Sequence, residues 1–143
     1  MFLQGKIQLT LGHADDLILL AAACEDGSVR VYDADSCVSL YDIAAEDEAG
    51  TWAGSRHWSA ASVQMTVAFS QRGALLAVAC GGPHVCLYRG LTGAHVLRLA
   101  TAHNAPVSAM AWHADSALLA AGYTDGSVKL WSIPGELLTS DVE

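Results

Sequence analysis

From residue 107 to residue 131 the chain alternates in short bursts. Val107, Ala109 and Ala111 fall on one side of an extended segment, and a turn follows at His113-Ala114-Asp115. The apolar run 117–121 then reads as a second strand. Asp125-Gly126 predicts a tight reversal, because glycine accepts positive φ without steric cost and aspartate tolerates it. Val128, Leu130 and Trp131 resume a β-branched and aromatic pattern, so a third strand pairs with the second. Ile133-Pro134-Gly135-Glu136 breaks the pattern before Leu137-Leu138, a short fourth strand at an edge where proline is tolerated.

The same unit recurs. Asp26-Gly27-Ser28-Val29-Arg30-Val31-Tyr32 returns 99 residues later as Asp125-Gly126-Ser127-Val128-Lys129-Leu130-Trp131. Gly82-Pro83-His84-Val85-Cys86-Leu87-Tyr88 stands between them, 56 residues after the first and 43 before the last. Even the first turn repeats, His13-Ala14-Asp15 matching His113-Ala114-Asp115, while the middle copy uses Ser70-Gln71-Arg72-Gly73. In the first copy strands are expected at 6–11, 17–24, 28–32 and 37–42. The three units then occupy about 6–43, 63–100 and 103–139. Residues 44–60 interrupt them without strand periodicity and account for the longer first spacing.

A repeat near 43 residues, with four strands, Asp-Gly before the third strand and Trp at its end, resembles the WD-repeat β-propeller family. The resemblance covers nearly the whole chain and is strongest in the third copy; Asp33 after Tyr32 matches the family's eponymous dipeptide. It implies an all-β fold of four-stranded antiparallel blades. It also implies a structural hydrogen-bond chain of His103, Asp125 and Trp131, one link short because Ala121 stands at the Ser/Thr position. The first two copies place Tyr32 and Tyr88 where the family has Trp, and the middle one has Gly82 for the turn Asp, so packing is expected to hold them. Propellers close with typically about four to eight blades, and three cannot close a ring. The outer faces of the first and third blades are therefore expected to be open apolar walls. Either further blades from the chain itself or from another protein complete the propeller, or the chain is a piece of a longer one.

Composition narrows the partners. The chain is 52% apolar and 15% charged, as suits a well-packed β protein, and its net charge of −8 opposes attachment to phosphate backbones and anionic membranes. Nucleic acid and membrane are not expected partners. The longest apolar run, 17–24, is far short of the ~20 residues that span a bilayer, and the N-terminus lacks the pattern of a secretory leader. The expected location is intracellular, cytoplasmic or nuclear. The four cysteines lie in or beside strands without the spacing of a secreted disulfide framework, and are read as reduced.

Three constellations invite chemistry. His103 and Asp125 with Ser108 or Ser127 could form a hydrolase-like triad, yet no Gly-x-Ser-x-Gly elbow is present and the family resemblance gives the His–Asp pair a structural role. Cys80, His84 and Cys86 straddle one hairpin and lack a fourth ligand for zinc. Gly81-Gly82-Pro83 lacks the Lys and Ser/Thr of a phosphate loop. No enzyme, metal or cofactor is expected. The resemblance points to a scaffold that binds protein or peptide, or to an architectural subunit docking by its open walls. Candidate contact residues are Trp52, His57 and Trp58, the acids Glu46, Asp47 and Glu48, and, on the Asp-Gly turn face, Glu25 and Thr124. Two tryptophans on one loop suit an aromatic anchor or, equally, pins holding the loop to the blades.

Overall fold

The structure, a computed structural model, describes residues 8–14, 16–24, 28–44, 65–70, 74–80, 83–101, 105–113 and 117–134. The described residues form three antiparallel sheets with no helix. Sheet one runs β1 (Gln8–Ala14), β2 (Leu17–Ala23), β3 (Ser28–Asp33) and β4 (Val38–Ala44). Sheet two runs β5 (Met65–Phe69), β6 (Leu75–Cys80), β7 (Val85–Arg89) and β8 (His95–Leu99). Sheet three holds β9 (Val107–Trp112), β10 (Leu118–Tyr123) and β11 (Val128–Ser132). Residues 137 and 138, expected as its fourth strand, lie outside the described residues.

The repeat in sequence is a repeat in register. Leu19 pairs with Asp33, Leu75 with Arg89 and Leu118 with Ser132. The same backbone bond holds the open end of the second and third strands in all three sheets: Ala34 N donates to Ile18 O at 2.7 Å, Gly90 N to Ala74 O at 2.9 Å and Ile133 N to Ala117 O at 2.7 Å. The turns into the outer strand agree as well. Cys37, at φ 65, and Gly93, at φ 81, occupy the same left-handed position, which costs a non-glycine residue such as Cys37 conformational energy. At the Asp-Gly reversal Gly126 takes φ 92, as the sequence requires.

Two details differ from the sequence reading. The first hairpin turns later than His13, since His13 pairs with Ile18 and Ala14 with Leu17. Val107 also does not share a face with Ala109 and Ala111. Tyr123 pairs with Val107 but Gly122 with Ala109, so Ser108 is the extra residue of a β-bulge and the faces exchange there. Val107 is fully buried while Ala109 and Ala111 are exposed. Ser108 Oγ donates to Gly122 O at 3.2 Å beside the bulge.

The sheets stack through their first strands, β1 against β5 and β5 against β9. Strict alternation gives each sheet two usable faces, and small residues at the centre of the second strand let neighbouring sheets approach. Leu19, Ala21, Ala23, Val29 and Val31 of sheet one enclose a first core with Met65, Val67, Leu76, Val78 and Tyr88 of sheet two. Leu75, Ala77, Ala79, Val85 and Leu87, on the opposite face of sheet two, enclose a second core with Val107, Leu119, Ala121, Tyr123 and Ile133 of sheet three. Each fully buried leucine among them contributes about 1.5–3 kcal/mol relative to exposure. Polar locks set the spacing between sheets. Val67 N donates to Gln8 Oε1 at 2.8 Å, Trp112 Nε1 to Ala68 O at 3.0 Å, and Tyr41 Oη to Gly90 O at 2.6 Å.

Candidate protein-interaction surfaces

The Asp-Gly turn of sheet three is an exposed, well-bonded knuckle. The Asp125 carboxylate accepts from Ser127 N at 2.9 Å and Ser127 Oγ at 2.6 Å, a side chain replacing backbone turn bonds. Thr124, Asp125 and Gly126 are exposed, and Thr124 N donates to Pro106 O at 3.0 Å, tying the knuckle to the approach to β9. Behind it Tyr123 Oη donates to Pro83 O at 3.4 Å, joining the corresponding turns of sheets two and three. Burial raises the Tyr123 phenol, and the nearby Asp125 charge adds to this against a bond with Thr101 that lowers it. His84, next to Pro83, is half-buried; burial and the charge of Arg98 lower its pKa, and its Nδ1 has no partner among the described residues.

Of the structural chain expected from the resemblance, Asp125 stands exposed on this turn and Trp131 is half-buried against the second core. His103 lies outside the described residues, as do Glu25, Glu46, Asp47, Glu48, Trp52, His57 and Trp58. Thr124 is on the exposed knuckle. Of the triad candidates, Ser108 serves the bulge and Ser127 bonds the Asp125 carboxylate. Among the described residues no group of three or more His, Cys, Asp or Glu side chains is placed to hold a metal ion, and Cys24, Cys37 and Cys86 form no disulfide.

The larger surface is apolar. On sheet one Leu9 and Leu11 are 59% and 65% exposed, and on sheet three Val128 and Leu130 are 68% and 63% exposed. Each pair lies on the face turned away from sheet two. Ile18, Leu40 and Leu118 add to these patches. The sequence alone indicates that open walls exist; the residues that form them emerge only once the strand registers align the copies.

The profile of the WD domain, G-beta repeat, matches residues 5–33 and 95–132. The first stretch ends with β3, and the second begins at β8 of sheet two and ends with β11 of sheet three, so the sequence repeat straddles neighbouring sheets. Both stretches are WD repeats. The chain's three sheets are propeller blades, and the propeller they form is incomplete. Solved structures agree on the fold. "Crystal structure of RRP9 WD40 repeats" superposes with a TM-score of 0.70 at 20% identity, covering 94% of this chain and 38% of that one. "Structure of U3-55K" gives 0.64 at 19% identity, covering 89% and 34%. The WD-repeat chain thus spans little more than a third of each of these neighbours. No curated protein matches its sequence.

WD repeats generally mediate protein–protein interaction or complex assembly, and the fold is typically a non-catalytic scaffold. No helix among the described residues is long and apolar enough to cross a membrane.

Proposed function

We propose that the chain is a non-enzymatic WD-repeat scaffold that holds protein or peptide partners inside the cell, in the cytoplasm or nucleus. The observation that carries this reading is the pair of bare apolar faces on sheets one and three, where four aliphatic side chains stand more than half exposed. A soluble monomer seldom leaves such patches uncovered, and further blades would cover them. Recognition of a partner beyond those blades is assigned to the turn edge: Thr124 on the knuckle, Glu25 on the corresponding turn of sheet one, and residues 44–60 between β4 and β5. There Trp52 and Trp58 act as aromatic anchors with His57 beside them, and Glu46, Asp47 and Glu48 favour basic groups on the partner. His103, Asp125 and Trp131 hold the third blade and do no chemistry.

Affinity capture with a Trp52→Ala, Trp58→Ala double variant tests the recognition surface. The variant is expected to lose partners captured by the native chain, each true anchor being worth about 2 kcal/mol or more, while its melting stays unchanged. A sharp fall in melting would instead make the two rings core pins. An Asp125→Ala variant that kept its melting temperature but lost a measured turnover would overturn the non-enzymatic reading.

A further inference from the structure

Each blade has a forward face, turned to the next blade, and a rear face, turned to the one before. The forward faces are the same five positions in each copy: Leu19, Ala21, Ala23, Val29 and Val31; then Leu75, Ala77, Ala79, Val85 and Leu87; then Leu118, Ala120, Gly122, Val128 and Leu130. The first two sets are buried against a neighbouring blade. The third set keeps the register, with Ala120 opposite Leu130 and Gly122 opposite Val128, but is bare. A Cβ added to Gly122 would meet nothing within 4 Å, whereas Ala79 at the same position of sheet two is fully buried.

The rear faces correspond in the same way. Val67 pairs with Val78 and Phe69 with Leu76 in sheet two, and Met110 pairs with Ala121 and Trp112 with Leu119 in sheet three. These residues receive the preceding blade's forward face. In sheet one the matching pairs are Leu9 with Ala22 and Leu11 with Leu20, and this receiving face is bare. Polar departures on it are His13, Asp42 and Arg30. Arg30 takes the position of Cys86 and Lys129, and Lys129 is already half-buried where sheet three meets sheet two. Tyr32 and Asp42 stand beside Arg30, so its charge is partnered.

We infer that the bare forward face of sheet three docks onto the bare rear face of sheet one in a second copy of the chain. The argument rests on the scaffold reading only for the need to cover these faces. One chain carries both halves of a contact that it already makes twice internally, at opposite ends, which is the condition for head-to-tail association. Two copies bring six sheets, inside the range of about four to eight at which propellers close, so the pair can form a ring with two identical contacts.

Sedimentation velocity of the native chain and of Leu11→Lys and Leu130→Lys variants tests this. The native chain is expected at twice its 14.9 kDa mass at tens of micromolar. Each variant alone is expected as a monomer, because every head-to-tail contact in that sample contains one blocked face. Mixed together, the two variants restore a dimer through the single contact that both leave intact. That dimer is about 10²- to 10⁴-fold weaker than the native one, since the second contact of a ring forms intramolecularly. Leu11→Thr and Leu130→Thr replace the lysine variants if far-UV spectra show that those do not fold. A monomeric native chain overturns the inference, as does a variant that stays dimeric alone, which would signify pairing of like faces. If the native chain is monomeric while the Trp52, Trp58 double variant still loses captured partners, self-docking fails and the scaffold reading stands.

Discussion

Sheets two and three are built from nearly the same side chains and lead opposite lives. Leu87 and Leu130 sit at one register position, yet the first is fully buried and the second is 63% exposed. Val85 and Val128 differ in the same way. Nothing in the residues themselves separates the two sets; sheet two has a blade on either side and sheet three has one. In a repeat protein the apolar alternation marks what a face is made to touch, and only the neighbour turns it into core.

The largest difference should appear on trimming those two leucines. In dilute solution Leu87→Ala is expected to cost about 2–5 kcal/mol, the range for a buried leucine that leaves a cavity, and Leu130→Ala to stay within about 0.5 kcal/mol. Chemical denaturation of both variants reads the contrast, and equal losses would mean that the two faces are equally covered. Glycines sharpen the comparison. A Cβ on Gly12 would lie 2.5 Å from Phe69 Cγ, so Gly12→Ala must displace that ring at about 1–3 kcal/mol. Gly122→Ala meets open space and should be neutral or stabilise by up to about 1 kcal/mol through the unfolded chain.

Smaller effects belong to the polar locks between blades. Burial pushes the Tyr41 phenol well above the usual tyrosine range, keeping it a donor to Gly90 O, and its ring covers Gly93. Tyr41→Phe keeps the ring and loses the bond, an expected cost of about 1 kcal/mol in thermal melting. The least effect comes from His84. Its folded pKa lies below the ordinary 6.5, so the unfolded chain binds more protons as pH falls through that value. Melting temperature should decline as pH drops from 6.5 towards the lower folded-state pKa, and His84→Gln should flatten that slope; an unchanged slope would place the titration elsewhere.

Much of the fold is legible in the sequence because the copies check one another. Asp-Gly at 125–126 announces its own positive φ, and the apolar runs 17–24 and 117–121 announce second strands. The bulge at Ser108 was not legible: an inserted residue in an alternating run leaves the composition unchanged and reverses the faces. The late turn after Ala14 was hidden for a related reason, since the His-Ala-Asp echo suggested equal loops where pairing registers differ. The inter-blade locks were equally silent. That Tyr41 reaches Gly90 and that Phe69 covers Gly12 depend on how two blades meet, which no local pattern encodes. Of the candidate contact residues, Thr124 takes an exposed place on the knuckle, while the tryptophan-bearing segment lies outside the described residues.

Hydroxyl-radical footprinting of the native chain at two concentrations, tens of micromolar and a hundredfold lower, addresses the bare faces most directly. Leu9, Leu11, Val128 and Leu130 should be protected in the concentrated sample and become oxidised on dilution, while Leu19 and Leu87 stay protected in both. Equal oxidation of the four at both concentrations would contradict their role as contact surfaces between copies, leaving the stacked blades complete without a second chain.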